Sequence, residues 1–225
     1  GAVAGVPGAA NSITQLVGGF DTIVVGNGSD SITALAGVST IVAGNGNDQI
    51  LIGGTFNTVV AGNGVDSVVG TNVDHTSITL GDGGSTVTLT GAGYNVIKTG
   101  SGNDVITLSG VGNWVDAGAA ITFNTIYGGA GQDTFVLAAP GSGFDKIFNF
   151  TTSNGDILNL QNVLAAVHWD GASSDLGNFL TTQFVNGDTV LETTGSPARP
   201  TTVVAELMNV NYSISWLEVH SSLFL

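Results

Sequence analysis

Two interleaved rows of β-branched apolar residues set the pattern of this chain. In one row Ile32, Ile50 and Val68 recur 18 residues apart, each two residues after an acid: Asp30, Asp48, Asp66. In the other, Ile23, Ile41, Val59, Ile78 and Ile97 follow Asp21, Ser39, Asn57, Thr76 and Asn95 by the same two residues. The second row runs nine residues ahead of the first. Asn11-Ser12-Ile13 extends the first row by one earlier coil. A fixed period near 20 residues is the signature of a solenoid, in which each repeat is one coil stacked on the last. The expected fold is therefore all-β, a parallel β-solenoid with coils of about 18–19 residues. Each coil carries two short strands and two turns, and the apolar rows face each other as a thin core.

The turns ahead of the first row repeat almost word for word. They read Val25-Gly26-Asn27-Gly28-Ser29-Asp30, Ala43-Gly44-Asn45-Gly46-Asn47-Asp48 and Ala61-Gly62-Asn63-Gly64-Val65-Asp66. Gly-Asn-Gly tolerates positive φ, so the chain bends sharply there and its carbonyls can turn inward. Stacked coils sit about 4.8 Å apart. The carboxylates of Asp30, Asp48 and Asp66 then form a ladder of like charges, each pair repelling by about 3 kcal/mol at an effective dielectric near 20. Burying an Ile or Val contributes roughly 1.5–3 kcal/mol, against about 1–2 for ordering each backbone residue. Two such anchors per coil do not hold it folded alone. A hard divalent cation between coils would remove the repulsion, and oxygen ligands of this kind suit Ca²⁺. In that reading the Asp side chains are direct ligands. Main-chain oxygens of Gly26, Asn27 and Ser29, of Gly44, Asn45 and Asn47, and of Gly62, Asn63 and Val65 complete the shell. The alternative is a metal-free β-helix in which Asn-Gly makes only tight turns.

The register loosens further on. A longer segment, Val73-Asp74-His75-Thr76, precedes Gly81-Asp82-Gly83-Gly84-Ser85, where Ser85 stands in place of the acid and Asp82 is expected to supply the carboxylate. Thr99-Gly100-Ser101-Gly102-Asn103-Asp104 restores the turn. Asn113-Trp114-Val115 joins the second row, and Asp116 to Ala120 reads as a shortened turn. Gly128-Gly129-Ala130-Gly131-Gln132-Asp133 places Asp133 in the first row, with Asn124 as its second-row partner. Cation sites are expected at Asp30/Asp48 and Asp48/Asp66, and around Asp82, Asp104 and Asp133.

From residue 141 the glycine turns stop and aromatic residues increase, which divides the chain into a solenoid over 1–140 and a small mixed β/α cap over 141–225. Short helices are expected at 162–168 and 174–180, and strands at 188–192 and 201–207. The cap closes the open end that a last coil exposes.

Composition narrows the partners. Gly accounts for 35 residues and charged residues for only 9%, with a formal net charge of −14. Such acidity argues against nucleic acid, whose phosphates need a basic footprint. There are no cysteines, which removes disulfides and thiolate zinc sites. No stretch of 18 apolar residues could span a bilayer, and the first residues lack the charged start of a secretory signal. The chain reads as the C-terminal piece of a larger protein. No Gly-x-Ser-x-Gly elbow, His-Glu-x-x-His or phosphate-cradling loop is present, so no enzyme activity is expected.

The first-row turns resemble the Gly-Gly-x-Gly-x-Asp-x-apolar-x nonapeptide of the secreted "repeats in toxin" (RTX) proteins. Val25, Ala43 and Ala61 replace the first glycine, whereas Gly128 to Asp133 fits throughout. The resemblance implies a β-roll whose calcium sites are shared between successive coils, so that binding and folding are one event. RTX rolls bind metal along both edges; with Asp21, Ser39 and Asn57 in looser turns opposite, this chain is expected to bind it along one. Residues 143–150 and 155–160 resemble the segment that follows RTX arrays, and the tail resembles the C-terminal targeting domain read by type I secretion machinery. The implied function is a calcium-dependent structural module of a secreted bacterial adhesin, surface-layer or matrix protein, extracellular or associated with the cell surface. Two other readings are the export tail of a secreted enzyme and an ice-binding face. Ice-binding RTX regions carry Thr in the turn, where this chain has Asn27, Asn45, Asn63, Asp82, Ser101 and Ala130.

Overall fold

A computed structural model describes residues 2–6, 8–15, 19–141, 143–171, 173–195, 200–220 and 222–225. The chain winds into an all-β parallel solenoid of about 8 turns with coils of about 19 residues. Each coil gives one strand to an eleven-stranded sheet and one to a ten-stranded sheet. Ser31–Ala34 stacks on Gln49–Thr55, which stacks on Ser67–Asp74, with Ile32, Ile50 and Val68 in register. On the facing sheet Thr22–Val24, Thr40–Val42 and Thr58–Val60 align Ile23, Ile41 and Val59. Ser12–Gln15 pairs with Ser31–Ala34 as the spacing from Asn11 predicts.

The two apolar rows form the core. Ile23, Ile41, Val59, Ile78, Ile97 and Val115 from one sheet are fully buried against Val68, Val87, Ile106 and Ile147 from the other. Strands this short suffice because alternate residues point inward: one β-branched side chain in three-residue strands such as Thr22–Val24, and two residues, as Ile32 and Ala34, in four-residue strands such as Ser31–Ala34.

The turns between strands differ at the two edges. The edge leading into the eleven-stranded sheet, the first edge, carries the Gly-Asn-Gly repeats. There a Cβ added to Gly46 or Gly64 would run into the carbonyl of Gly28 or Gly46 one coil earlier, so glycine is required by the close stacking. At the second edge Phe20, Val38, Phe56, His75 and Tyr94 occupy the same place in five successive coils, all with φ between 48° and 64°. Left-handed backbone is costly for such residues. The rings offset part of that cost by stacking, Phe56 on His75 at 4.9 Å and His75 on Tyr94 at 5.1 Å between centroids.

The coil ladder runs on past the change in composition at residue 141. Phe144–Phe148 pairs in parallel with Phe123–Tyr127, and Ile157–Asn159 with Thr134–Val136. Beyond them Thr202–Leu207 lies parallel to Phe144–Phe148, and Leu223–Phe224 lies parallel to Ile157–Asn159, covering both sheet ends. Two α-helices, α1 (Gln161–Val167) and α2 (Ile214–Val219), pack here. Val163, Leu164 and Leu217 are buried, and Phe150 bridges Phe135 to Tyr212. Lys146 pairs with Glu206 at 3.2 Å and lies over the Phe123 ring.

The helix expected at 162–168 and the strands at 188–192 and 201–207 are present. The segment expected as a helix at 174–180 is instead a 3-10 helix, Ser173–Asn178, running into strand Leu180–Val185. That strand pairs antiparallel with Asp188–Thr193 around Asn186-Gly187. Asn186 and Gly187 both have positive φ, as a two-residue hairpin turn demands. In the proline-punctuated loop, residues 196–199 lie outside the described residues.

Candidate cation-binding edge

Each coil places one polar residue, fully inside the coil, at the start of each strand, two residues ahead of the buried apolar one. Into the eleven-stranded sheet the row is Asp30, Asp48, Asp66, Ser85, Asp104, Asn124 and Asp145, all buried. Hydrogen bonds explain why these residue types sit there. The strand ladder leaves the N–H of each row residue pointing at the next coil, and the next row side chain accepts it. Asp30 N–H donates to Asp48 Oδ1 at 2.8 Å, and Asp48 N–H to Asp66 Oδ1 at 3.0 Å. Asp66 N–H donates to Ser85 Oγ at 3.1 Å, Ser85 N–H to Asp104 Oδ1 at 2.7 Å, and Asp104 N–H to Asn124 Oδ1 at 3.0 Å. One acceptor atom is all this task needs.

A carboxylate brings a second oxygen. At Asp30, Asp48 and Asp66 the Oδ2 atoms are buried with no hydrogen-bond partner. An orphaned buried acceptor is expensive, and a charged one more so. Burial raises the pKa of Asp48, opposed by the N–H of Asp30 and reinforced by the Asp30 charge. Asp66 is pushed up to about 6, again by burial first. Three stacked, dehydrated carboxylates with free oxygens suit a hard cation, which restores what burial removes. Among the described residues no three acidic or histidine side chains converge on one point. A cation here would therefore be held by one or two carboxylates, with main-chain oxygens and water filling the shell.

The outer turn residues make a second ladder running the other way. Asn27 Oδ1 accepts the N–H of Asn45 at 3.1 Å, Asn45 Oδ1 that of Asn63 at 2.8 Å, and Asn63 Oδ1 that of Asp82 at 2.9 Å. Two residues on, Ser29 accepts from Asn47 N–H and Asn47 from Val65 N–H. The carbonyls of Gly26, Gly44 and Gly62 accept from Gly44, Gly62 and Gly81. Side chains of the turn asparagines are thus committed to backbone.

Three expectations need correction. Asp82 does not replace the missing acid at Ser85. It lies on the exposed outer ladder, where Ser101 N–H and hydroxyl, both at 2.8 Å, hold its pKa below the usual carboxylate value. Asp133 does not join the first row. It belongs to the second edge, where Asn113 N–H and Nδ2 donate to its Oδ1, and Asn124 takes the first-row place instead. The physical reason is the half-coil. Asp104 to Asp133 spans 29 residues, one and a half coils, which lands on the opposite side. The turn after Asp116 is correspondingly longer than expected, running on to Thr122 before strand Phe123–Tyr127. Third, buried acid is not confined to one edge: Asp21, Asp133 and Asp156 lie in the second row. Asp133 Oδ2 is also buried without a partner.

Two acids carry signals that motif matching passed over. Asp145 and Asp156 close the two rows at the cap. Burial pushes Asp145 to about 7, with Asn124 Nδ2 donating to it at 2.9 Å, and pushes Asp156 to about 6. Both keep the spacing of two residues before a buried apolar one, Ile147 and Leu158.

Comparison with known proteins agrees with this geometry. The family model of the RTX calcium-binding nonapeptide repeat matches residues 17–50, 80–111 and 123–139, as four copies. No curated protein and no solved structure gives a match. The unmatched stretch between the first two segments holds Ala61 to Asp66, whose ladder contacts continue those of its neighbours. The chain carries RTX calcium-binding repeats wound into a β-roll, and Ca²⁺ is the ion such repeats bind.

Proposed function

We propose that the solenoid is a calcium-dependent structural module of a secreted bacterial protein of adhesin, surface-layer or matrix type. Its acidic coils complete their folding on meeting millimolar calcium outside the cell. The observation that carries the reading is the run of unpartnered Oδ2 atoms at Asp30, Asp48 and Asp66. Without a cation these coils confine charge in a low-dielectric interior; with one they lock together. RTX repeat proteins are generally exported, and their solenoids are typically structural. The cap, with its hairpin and the short helix α2, is assigned to type I export as well as to closing the stack. No helix among the described residues is long and apolar enough to cross a membrane.

Calcium titration of the chelated chain tests this. Calorimetric binding should accompany a gain in β circular dichroism and a rise in Tm, with Mg²⁺ a poor substitute because it demands a tighter octahedral shell. A β signal and Tm identical in EDTA and in millimolar calcium would sink the reading.

A further inference from the structure

The row positions fall into two chemical classes. At Asp30, Asp48 and Asp66 the residue five places earlier, at the start of the turn, is Val25, Ala43 or Ala61, and nothing donates to Oδ2. At Asp104 that place holds Thr99, itself buried, whose hydroxyl donates to Asp104 Oδ2 at 2.8 Å. Elsewhere an amide does similar work. Asn57 Nδ2 donates to the carbonyls of Gly53 and Gly54, both at 3.1 Å, and Asn124 Nδ2 donates to Ala117 O at 3.1 Å. A protein donor there fills the electropositive role that a cation would otherwise take.

We propose that calcium dependence on the first edge is confined to residues 25–66, and that the turn 99–104 is a built-in, cation-free closure sealed by Thr99. Ser85 separates the two: its hydroxyl accepts the Asp66 N–H but brings no second carboxylate oxygen to the interface. The array is then not a uniform ladder of ions. A calcium-requiring block of three carboxylates rests on coils that close with their own side chains, and on the second edge Asp133 forms a separate pair with Asp156, whose Oδ1 accepts the Asp133 N–H at 2.8 Å. This deepens the calcium reading and rests on it.

Hydrogen exchange by mass spectrometry on the full chain, in EDTA and in calcium, tests the division. With calcium about a hundredfold above its Kd, exchange in 25–66 should slow by about a hundredfold. Peptides covering 96–112 should change less than about twofold, since no ligand stabilises that opening. Equal slowing of both segments overturns the proposal. Thr99→Val, which removes the hydroxyl at nearly constant shape, should extend the calcium response to 96–112. Ala61→Thr should shrink the response of residues 61–66 toward that of 96–112. If neither variant moves the response, Thr99 does not seal the turn. Calorimetry on the same unmodified chain separates the two levels: absence of calcium binding defeats the calcium reading itself, whereas binding with uniform protection defeats only the division.

Discussion

A single carboxylate in this solenoid does two things with its two oxygens. Oδ1 of Asp48 closes a backbone hydrogen bond that serine or asparagine closes equally well elsewhere in the row, while its Oδ2 is left without a partner. Acid is therefore chosen at Asp30, Asp48 and Asp66 for the second oxygen. Asp48→Ala should cost at least about tenfold in calcium affinity, roughly one charge-assisted ligand contact of 1.5–3 kcal/mol. Asp82→Ala, on the exposed outer ladder, should change affinity less than about twofold, in line with surface substitutions. Calorimetric titration of the two variants decides it, and equal losses would place Asp82 in the site after all. Asp48 was legible from its spacing alone, because the apolar residue two places on announces the row. Asp133 carries the same announcement in Phe135, yet nothing in a nonapeptide says which edge it faces. Only counting half-coils from Asp104 does that.

At the scale of the turn and strand, close stacking is the constraint that glycine meets. A methyl group at Gly46 points into the Gly28 carbonyl, backbone against backbone, with no side chain free to move aside. Gly46→Ala should destabilise the calcium-loaded fold by about 1–3 kcal/mol, the usual cost of overpacking. A chemical-denaturation midpoint unchanged from the parent would contradict it. The strands were readable because two apolar rows at a fixed period leave little freedom in register. The cap was harder. Asn186-Gly187 is a strong hairpin signal and could have revealed strand Leu180–Val185. The helix α2 spans only six residues, and what starts it is Ser213 accepting the Trp216 N–H, a single local bond. So short an element has no period to read.

The whole molecule stores acid in its interior, and pH should act on it in a direction that depends on calcium. Asp66, Asp145 and Asp156 have folded pKa values of about 6, about 7 and about 6, above the ordinary value of 3.8. The folded chain thus holds protons that the unfolded chain has released. Their stabilising contribution is complete below pH 4 and is lost as pH rises through 6 to 7. In EDTA the Tm at pH 5 should exceed that at pH 7.5. Each 1 kcal/mol corresponds to about 2–4 °C for a domain of this size. With calcium the order should reverse, because the ion binds only the deprotonated carboxylates. A chelated Tm that rises from pH 5 to 7.5 would show that these acids are not held protonated in the fold.

The ladders at both edges run parallel to the long axis of the solenoid, coil to coil, and this has a mechanical consequence. Tension applied between the chain's two ends pulls along those bonds and peels coils away in turn, instead of shearing a whole sheet at once. Each coil of 18 residues that peels off should lengthen the tether by about 60 Å, at about 3.4 Å per residue. Optical-trap records should show steps of that size, with the steps from residues 25–66 requiring greater force in calcium than in EDTA. One abrupt extension of the entire array would mean the coils do not yield individually. Such a thread lengthens under load by set increments and can rewind when the load falls, with ambient calcium setting how hard it must be pulled.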